Sequence, residues 1–212
     1  MSNRTAHSDP FDKLYTSLRF EREGLFEFIQ EAYHPTEVLY PGCAVHLTPA
    51  FYFPHVVFVD QDAAAQAFFA EQQGIRALVM RRRTYRRSPF VQFIFQDFTQ
   101  PLPLPPNQFD LLLGLFVRGV ARACLPHLRL GGLYLSNNHQ GDAQEALQDE
   151  RLSLLAVLQG RQGKYLAVEY DPVDPFKVSR KAPRTKRYLR NTSHGVEYLE
   201  QERYYLFKRV KL

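Results

Sequence analysis

The segment from Val38 to Asp60, V-L-Y-P-G-C-A-V-H-L-T-P-A-F-Y-F-P-H-V-V-F-V-D, constrains this chain more than any other. It reads as a strand ending at Tyr40, a turn opened by Pro41-Gly42, a short helical piece, and an apolar strand ending at Asp60. The run V-V-F-V carries no polar residue, as a strand covered on both faces requires. Such a unit belongs to an open α/β sheet. There the turn brings backbone N–H groups to a nucleotide-type ligand, and the closing acid can hold ribose hydroxyls.

Downstream, strands continue to alternate with helical segments. The pattern predicts a helix over 61–73 ended by Gly74, a third strand over 90–95 and a stiff loop at P-L-P-L-P-P. A fourth strand over 109–116, a helix over 120–128 and a turn at Gly131-Gly132 follow, then a fifth strand over 133–136. Leucines at 147, 152, 154, 155 and 158 predict a helix over 143–159. Two late strands, 164–170 and 204–210, are expected to join as a long hairpin. Upstream, Ser8-Asp9-Pro10 reads as a helix start, and Leu14, Leu18, Leu25, Phe26 and Ile29 recur at helical spacing until His34-Pro35. Gly24 is a candidate break in that helix. The expected organisation is an N-terminal helical cap over 1–36 and an α/β domain over 37–212, with a basic insertion near 172–200. Right-handed crossovers make the sheet mainly parallel.

With 212 residues, 45% of them hydrophobic, the chain can bury a sizeable core. No apolar run approaches the ~20 residues of a membrane span, and the first residues lack a signal-peptide core. Cys43 and Cys124 belong to no CxxC or Cys/His cluster, so they read as thiols of a cytoplasmic protein. The seven histidines show no metal-ligand spacing, and no metal is expected. A serine-hydrolase elbow and a phosphate-binding GxxxxGK[ST] loop are both missing.

The order of elements from about Glu37 to Leu212 resembles the class I S-adenosylmethionine-dependent methyltransferases. The resemblance implies a three-layer Rossmann-like sheet, mostly parallel, with a late antiparallel hairpin strand. In that family the first turn is rich in glycine. Here Gly42 takes the first glycine's place, Ala44 the second, and His46 the third. The resemblance implies S-adenosylmethionine over Pro41, Gly42, Cys43, Ala44 and Val45, with Asp60 on the ribose and Asp97 and Phe98 at the adenine. Asp62 could substitute for Asp60 on the ribose, and either acid could cap the helix that follows; the favoured assignment is Asp60 as ligand and Asp62 as cap. Leu115 and Phe116 end the fourth strand, where the family lines its methyl-transfer pocket, and Asn137 and His139 follow the fifth on the same edge. These last two read equally as substrate contacts or as a turn. The Asn/Asp-Pro-Pro-Tyr/Phe motif of base-amino methyltransferases is replaced by L-G-L-F-V-R-G, and no catalytic residue is named.

Two stretches interleave arginine with tyrosine. One contains Arg81, Arg82, Arg83, Arg86 and Arg87; the other contains Arg184, Lys186 and Arg187. Such a pattern can hold phosphates and stack on bases, which makes RNA a candidate partner, or it is solvated surface. The leading expectation is a methyltransferase of unknown substrate. A non-catalytic protein of the same fold, binding RNA or a protein partner, and an NAD-dependent oxidoreductase are the alternatives.

Overall fold

A computed structural model of the chain describes residues 15, 22–161, 164–177, 188–192, 195–199 and 203–212. Helix α1 (Glu23–Tyr33) leads into β1 (Glu37–Pro41), the four-residue α2 (Pro49–Tyr52) and β2 (His55–Asp60). Helices α3 (Ala63–Ala70) and α4 (Gln72–Arg82) precede β3 (Phe90–Phe95) and β4 (Phe109–Gly114). Then come α5 (Val120–Cys124), β5 (Leu128–Ser136), α6 (Asp142–Leu147), β6 (Leu152–Arg161) and β7 (Lys164–Val168). A separate hairpin, β8 (Tyr188–Thr192) with β9 (Gly195–Leu199), comes before β10 (Arg203–Arg209).

The main sheet has eight strands in the order β3-β2-β1-β4-β5-β10-β6-β7. The pairings from β3 through β5 are parallel, and β10 runs antiparallel to both β5 and β6. The order in which strands are added reverses between β1 and β4, so the switch-point crevice opens beyond Pro41 and Gly114. The core forms two layers, one on each face. The first gathers Leu25, Phe26 and Ile29 of α1, Phe51 and Phe53, and Ile75, Leu78 and Val79 of α4. The second gathers Val120, Cys124, Ala143 and Ala146. Alternating residues of one strand serve both layers: Val56 and Phe58 face the first, Val57 and Val59 the second. Among the described residues no helix is long and apolar enough to cross a membrane.

The mainly parallel three-layer sheet with a late antiparallel strand is as expected, and the third strand spans the expected 90–95. The late region differs. Residues 152–161 form β6, and only 142–147 are helical where a helix over 143–159 was expected. A bulge explains the misleading leucines. Leu206 pairs with Ala156 and Phe207 with Leu154, leaving Leu155 extra and exposed. Before the bulge Leu152 and Leu154 face the second layer; after it Val157 does, while Ala156 and Leu158 face the first. The bulge places Leu154 and Leu155 side by side and imitates helical spacing. The expected hairpin of the two late strands is also replaced, because β6 lies between β7 and β10.

Smaller differences have local causes. Gly74 does not end a helix; the chain kinks at Glu71 and continues through Gly74 to Arg82, so that Phe69, Ile75 and Val79 all reach the core. Gly24 stands in the first turn of α1, just after Arg22, whose backbone is non-helical (φ −110°, ψ 51°), and α1 ends at left-handed His34. The helix expected over 120–128 tightens into a 3-10 turn at Leu125. Gly131-Gly132 falls inside β5, as an irregularity where Phe109 pairs with Leu128 and Leu111 with Leu133. The fourth strand stops at Gly114, short of Phe116. The helix start at Ser8 lies outside the described residues.

Candidate functional site at the switch point

Beyond β1 the chain must turn sharply, and it does so through left-handed backbone at Gly42 (φ 63°) and Ala44 (φ 46°). Glycine adopts that region without strain, whereas alanine's Cβ crowds its own carbonyl. A Cβ at position 42 would also meet Val117 at 3.0 Å, so the turn and the segment after β4 touch only because Gly42 is bare. The Gly42 N–H donates to the Val59 carbonyl (2.8 Å), which ties the turn to the end of β2. Asp60 closes the arrangement. Its Oδ2 accepts the Ala44 N–H at 2.7 Å and its Oδ1 accepts the Asp62 N–H at 2.9 Å. A carboxylate offers about four acceptor positions, so two remain for a ligand. Asp62 caps α3, its Oδ1 accepting the Ala64 N–H at 2.8 Å.

His46, in the third glycine's place, is turned away from this surface and is 4% exposed. Its Nδ1 is 3.0 Å from the Tyr40 hydroxyl, and its ring packs on Phe26 and Tyr40 in the first core layer. Burial, assisted by the Arg22 guanidinium, pushes its pKa well below the usual histidine value, so the ring is neutral. Cys43 is also inward, and burial raises its thiol well above the usual range. Cys124, buried in the second layer, is pushed up to about 12 by desolvation. Neither thiol is a nucleophile at neutral pH.

Beyond β3, Asp97 Oδ1 accepts the backbone N–H (2.9 Å) and hydroxyl (2.8 Å) of Thr99, and Phe98 packs against the second core layer. Beyond β4, Leu115 is buried, while Phe116 is exposed with left-handed backbone (φ 61°). Its N–H donates to Asn137 Oδ1 at 3.0 Å, joining the segments after β4 and β5. His139 brings its ring 6.3 Å from that of Phe116. Phe116, Asn137 and His139 therefore form one group at the carboxyl edge of the sheet.

Three further residues organise this edge. Arg22 is buried, donates from Nε to the Tyr204 hydroxyl (2.6 Å), and lays its guanidinium 4.3 Å from the Phe116 ring centroid. Asp142 is 1% exposed; its Oδ1 accepts the Gly119 N–H (2.8 Å), and its Oδ2 accepts the hydroxyls of Tyr134 and Ser136. Tyr134 reaches Asp142 across Gly114, where a Cβ would fall 2.5 Å from the Tyr134 oxygen. Sequence reading missed Arg22 because its partner Tyr204 is 182 positions away, and it missed Asp142 and Tyr134 because no motif marks a contact between a strand residue and the first residue of the next helix.

The basic residues divide. Arg81, Arg82, Arg83, Arg86 and Arg87 lie at the end of α4 and in the turn before β3, at the edge opposite Asp60. Arg82 pairs with Glu23 (2.6 Å) and stacks on Phe51, while Arg83 donates to the Arg86 and Arg87 carbonyls. Arg184, Lys186 and Arg187 lie outside the described residues. The flanks of their segment meet where Arg203 Nη1 donates to the Lys177 carbonyl (3.2 Å).

No family model matches the chain, and no curated protein matches it. Solved structures do. A methyltransferase from Geobacter sulfurreducens superposes with a TM-score of 0.53 at 12% identity, covering 96% of this chain and 91% of that one. An S-adenosylmethionine-dependent methyltransferase from Thermotoga maritima gives 0.50 at 11% identity, with 95% of each chain covered. At such identities the likeness is one of fold. With the 3-2-1-4-5 strand order and the antiparallel strand beside β5, the chain has the Rossmann-like fold of the class I S-adenosylmethionine-dependent methyltransferases.

Proposed function

We propose that the chain is an S-adenosylmethionine-dependent methyltransferase whose cofactor lies over residues 41–45. The observation that carries this reading is the Gly42–Ala44 turn closing onto Asp60 at the switch point. Gly42 lets the turn close against Val117 of the segment after β4, and an acid with acceptor positions to spare stands beside it. Residues and group fit: Asp60 would hold the ribose hydroxyls, and Asp97 and Phe98 would flank the adenine. When bound, the cofactor supplies an activated methyl group on a sulfonium. The chain's own part is to place an acceptor in line with it. Leu115, Phe116, Asn137 and His139 would line the acceptor's side, with Arg22 fixing the Phe116 ring from beneath. The inward turn of His46 supports the reading, because the residue in the third glycine's place leaves the turn's outer surface clear.

Calorimetric titration with S-adenosylmethionine, S-adenosylhomocysteine and NAD tests it. Binding of the first two at micromolar affinity, lost or sharply weakened in Asp60→Ala, is the expected result. Silence with both, or binding of NAD alone, rejects it. Affinity that survives Asp60→Ala rejects the ribose assignment.

A further inference from the structure

Strand β3 is the terminal strand of the main sheet, and its sequence F-V-Q-F-I-F is apolar except for Gln92. Phe90 N–H donates to the Pro54 carbonyl and Gln96 N–H to the Asp60 carbonyl. Even-numbered residues thus donate to β2, and by the period of a strand the N–H groups of Val91, Phe93 and Phe95 point outward. Among the described residues nothing pairs with that edge. Half of the Phe95 side chain is exposed (49%), on the same face as Val91 and Phe93 and beside Asp60. On that face a cavity of about 440 Å³ opens between α4 and the edge, lined by Phe69, Ile75, Val79, Pro89, Val91 and Phe93 among others.

We infer that β3 pairs with β3 of a second copy of this chain, antiparallel and centred on Phe93, to form a two-fold dimer. A two-fold axis perpendicular to a sheet keeps each face on its own side, so only residues of equal parity can oppose one another. Centring on Phe93 sets Val91 opposite the partner's Phe95, and all three outward N–H groups of each strand then find a carbonyl. Shifting the centre to Gln92 would set Phe95 opposite the partner's Pro89, which has no N–H to give. In the Phe93 register the exposed ring of each Phe95 arrives at Val91 of the other copy and enters the cavity that Val91 lines.

Charge selects the same occupant and direction. Arg86 and Arg87, both exposed, precede β3, and Asp97 follows it. Antiparallel pairing brings Arg87 within two positions of the partner's Asp97, whereas parallel pairing would set arginine against arginine. An apolar edge with unlike charges at its two ends is complementary to itself and lacks the like-charge repulsion that keeps other edges apart. This inference is independent of the cofactor reading.

Sedimentation velocity on the full chain across micromolar concentrations tests it, with circular dichroism as the check on folding. The wild type should sediment as a dimer of 24.7 kDa chains. Phe95→Lys and Arg87→Asp should each weaken association by about tenfold or more, as loss of a central anchor or an interfacial charge does. The exchange Arg87→Asp with Asp97→Arg should restore it. A monomer at ~100 µM, well above the dissociation constant of a standard interface, would overturn the inference. So would a dimer indifferent to these changes, or a charge exchange that restores nothing.

Discussion

Asp60 ends β2 and Asp142 opens α6 after β5, both at the carboxyl edge of the sheet, and they live under opposite conditions. Asp142 is sealed, with its acceptors filled by Gly119, Tyr134 and Ser136. Asp60 lies at the surface and accepts only two N–H groups, both from turns beside it. A buried carboxylate must have its partners within the fold, because the low-dielectric interior leaves any missing one uncompensated. A surface carboxylate can keep acceptor positions for a ligand, since water holds them meanwhile. One acid is therefore a structural joint and the other keeps acceptor positions that the proposed cofactor would use, and sequence position alone does not tell them apart.

The sharpest way to break this comparison is to remove both acids. Asp142→Ala leaves two hydroxyls and an N–H without an acceptor, and should cost about 3 kcal/mol or more in urea unfolding. If it unfolds at the wild-type midpoint, the network is not a joint. Asp60→Ala should instead stay within about 1 kcal/mol of wild-type stability while S-adenosylmethionine affinity falls by roughly tenfold to a hundredfold, the worth of one or two charge-assisted hydrogen bonds.

The two sides of the 41–46 turn sharpen the contrast. On the core side, His46 is held neutral by burial and by the Arg22 charge. Its folded pKa lies below its unfolded one, so between the two the unfolded chain binds more protons. Stability is then fully present above about pH 6.5 and falls as pH drops below it, with a slope approaching ~1.4 kcal/mol per pH unit. Urea midpoints from pH 7 to 5 should show this slope, and His46→Asn should flatten it. On the outward side, Ala44 carries left-handed backbone. Ala44→Gly should raise stability by about 1 kcal/mol by removing that strain; a loss of stability would mean the alanine methyl packs usefully.

Much of the fold could be read directly because the parallel strands are covered on both sides. V-V-F-V reads as such a strand, and its residues do alternate between the two core layers. The late region hid itself because the bulge at Leu155 disturbs the alternation that marks a strand, and because β6 and β10 meet only through residues about fifty positions apart. Gly74 misled for another reason: tertiary packing of Ile75 and Leu78 outweighs a glycine's weak preference for ending a helix. Within the site, the turn, Asp60 and Phe116 follow strand ends and were legible from that position. Arg22, Tyr204 and Asp142 are defined by what they touch, and hydrogen bonds across the sequence leave no periodic trace.

The shortness of α2 reaches beyond the site. Four residues cannot cover the first face of β1 and β2, and Phe26 of α1 does so instead, its ring 6.0 Å from Phe53 and 6.3 Å from Tyr52. A segment that precedes the first strand is thereby interior mass of the sheet's neighbourhood. For anyone dissecting or re-engineering the chain, its amino-terminal side offers no clean cutting point near Glu37: a fragment starting there would be born with a hole where Leu25, Phe26 and Ile29 belong, and its solubility would be the first property lost.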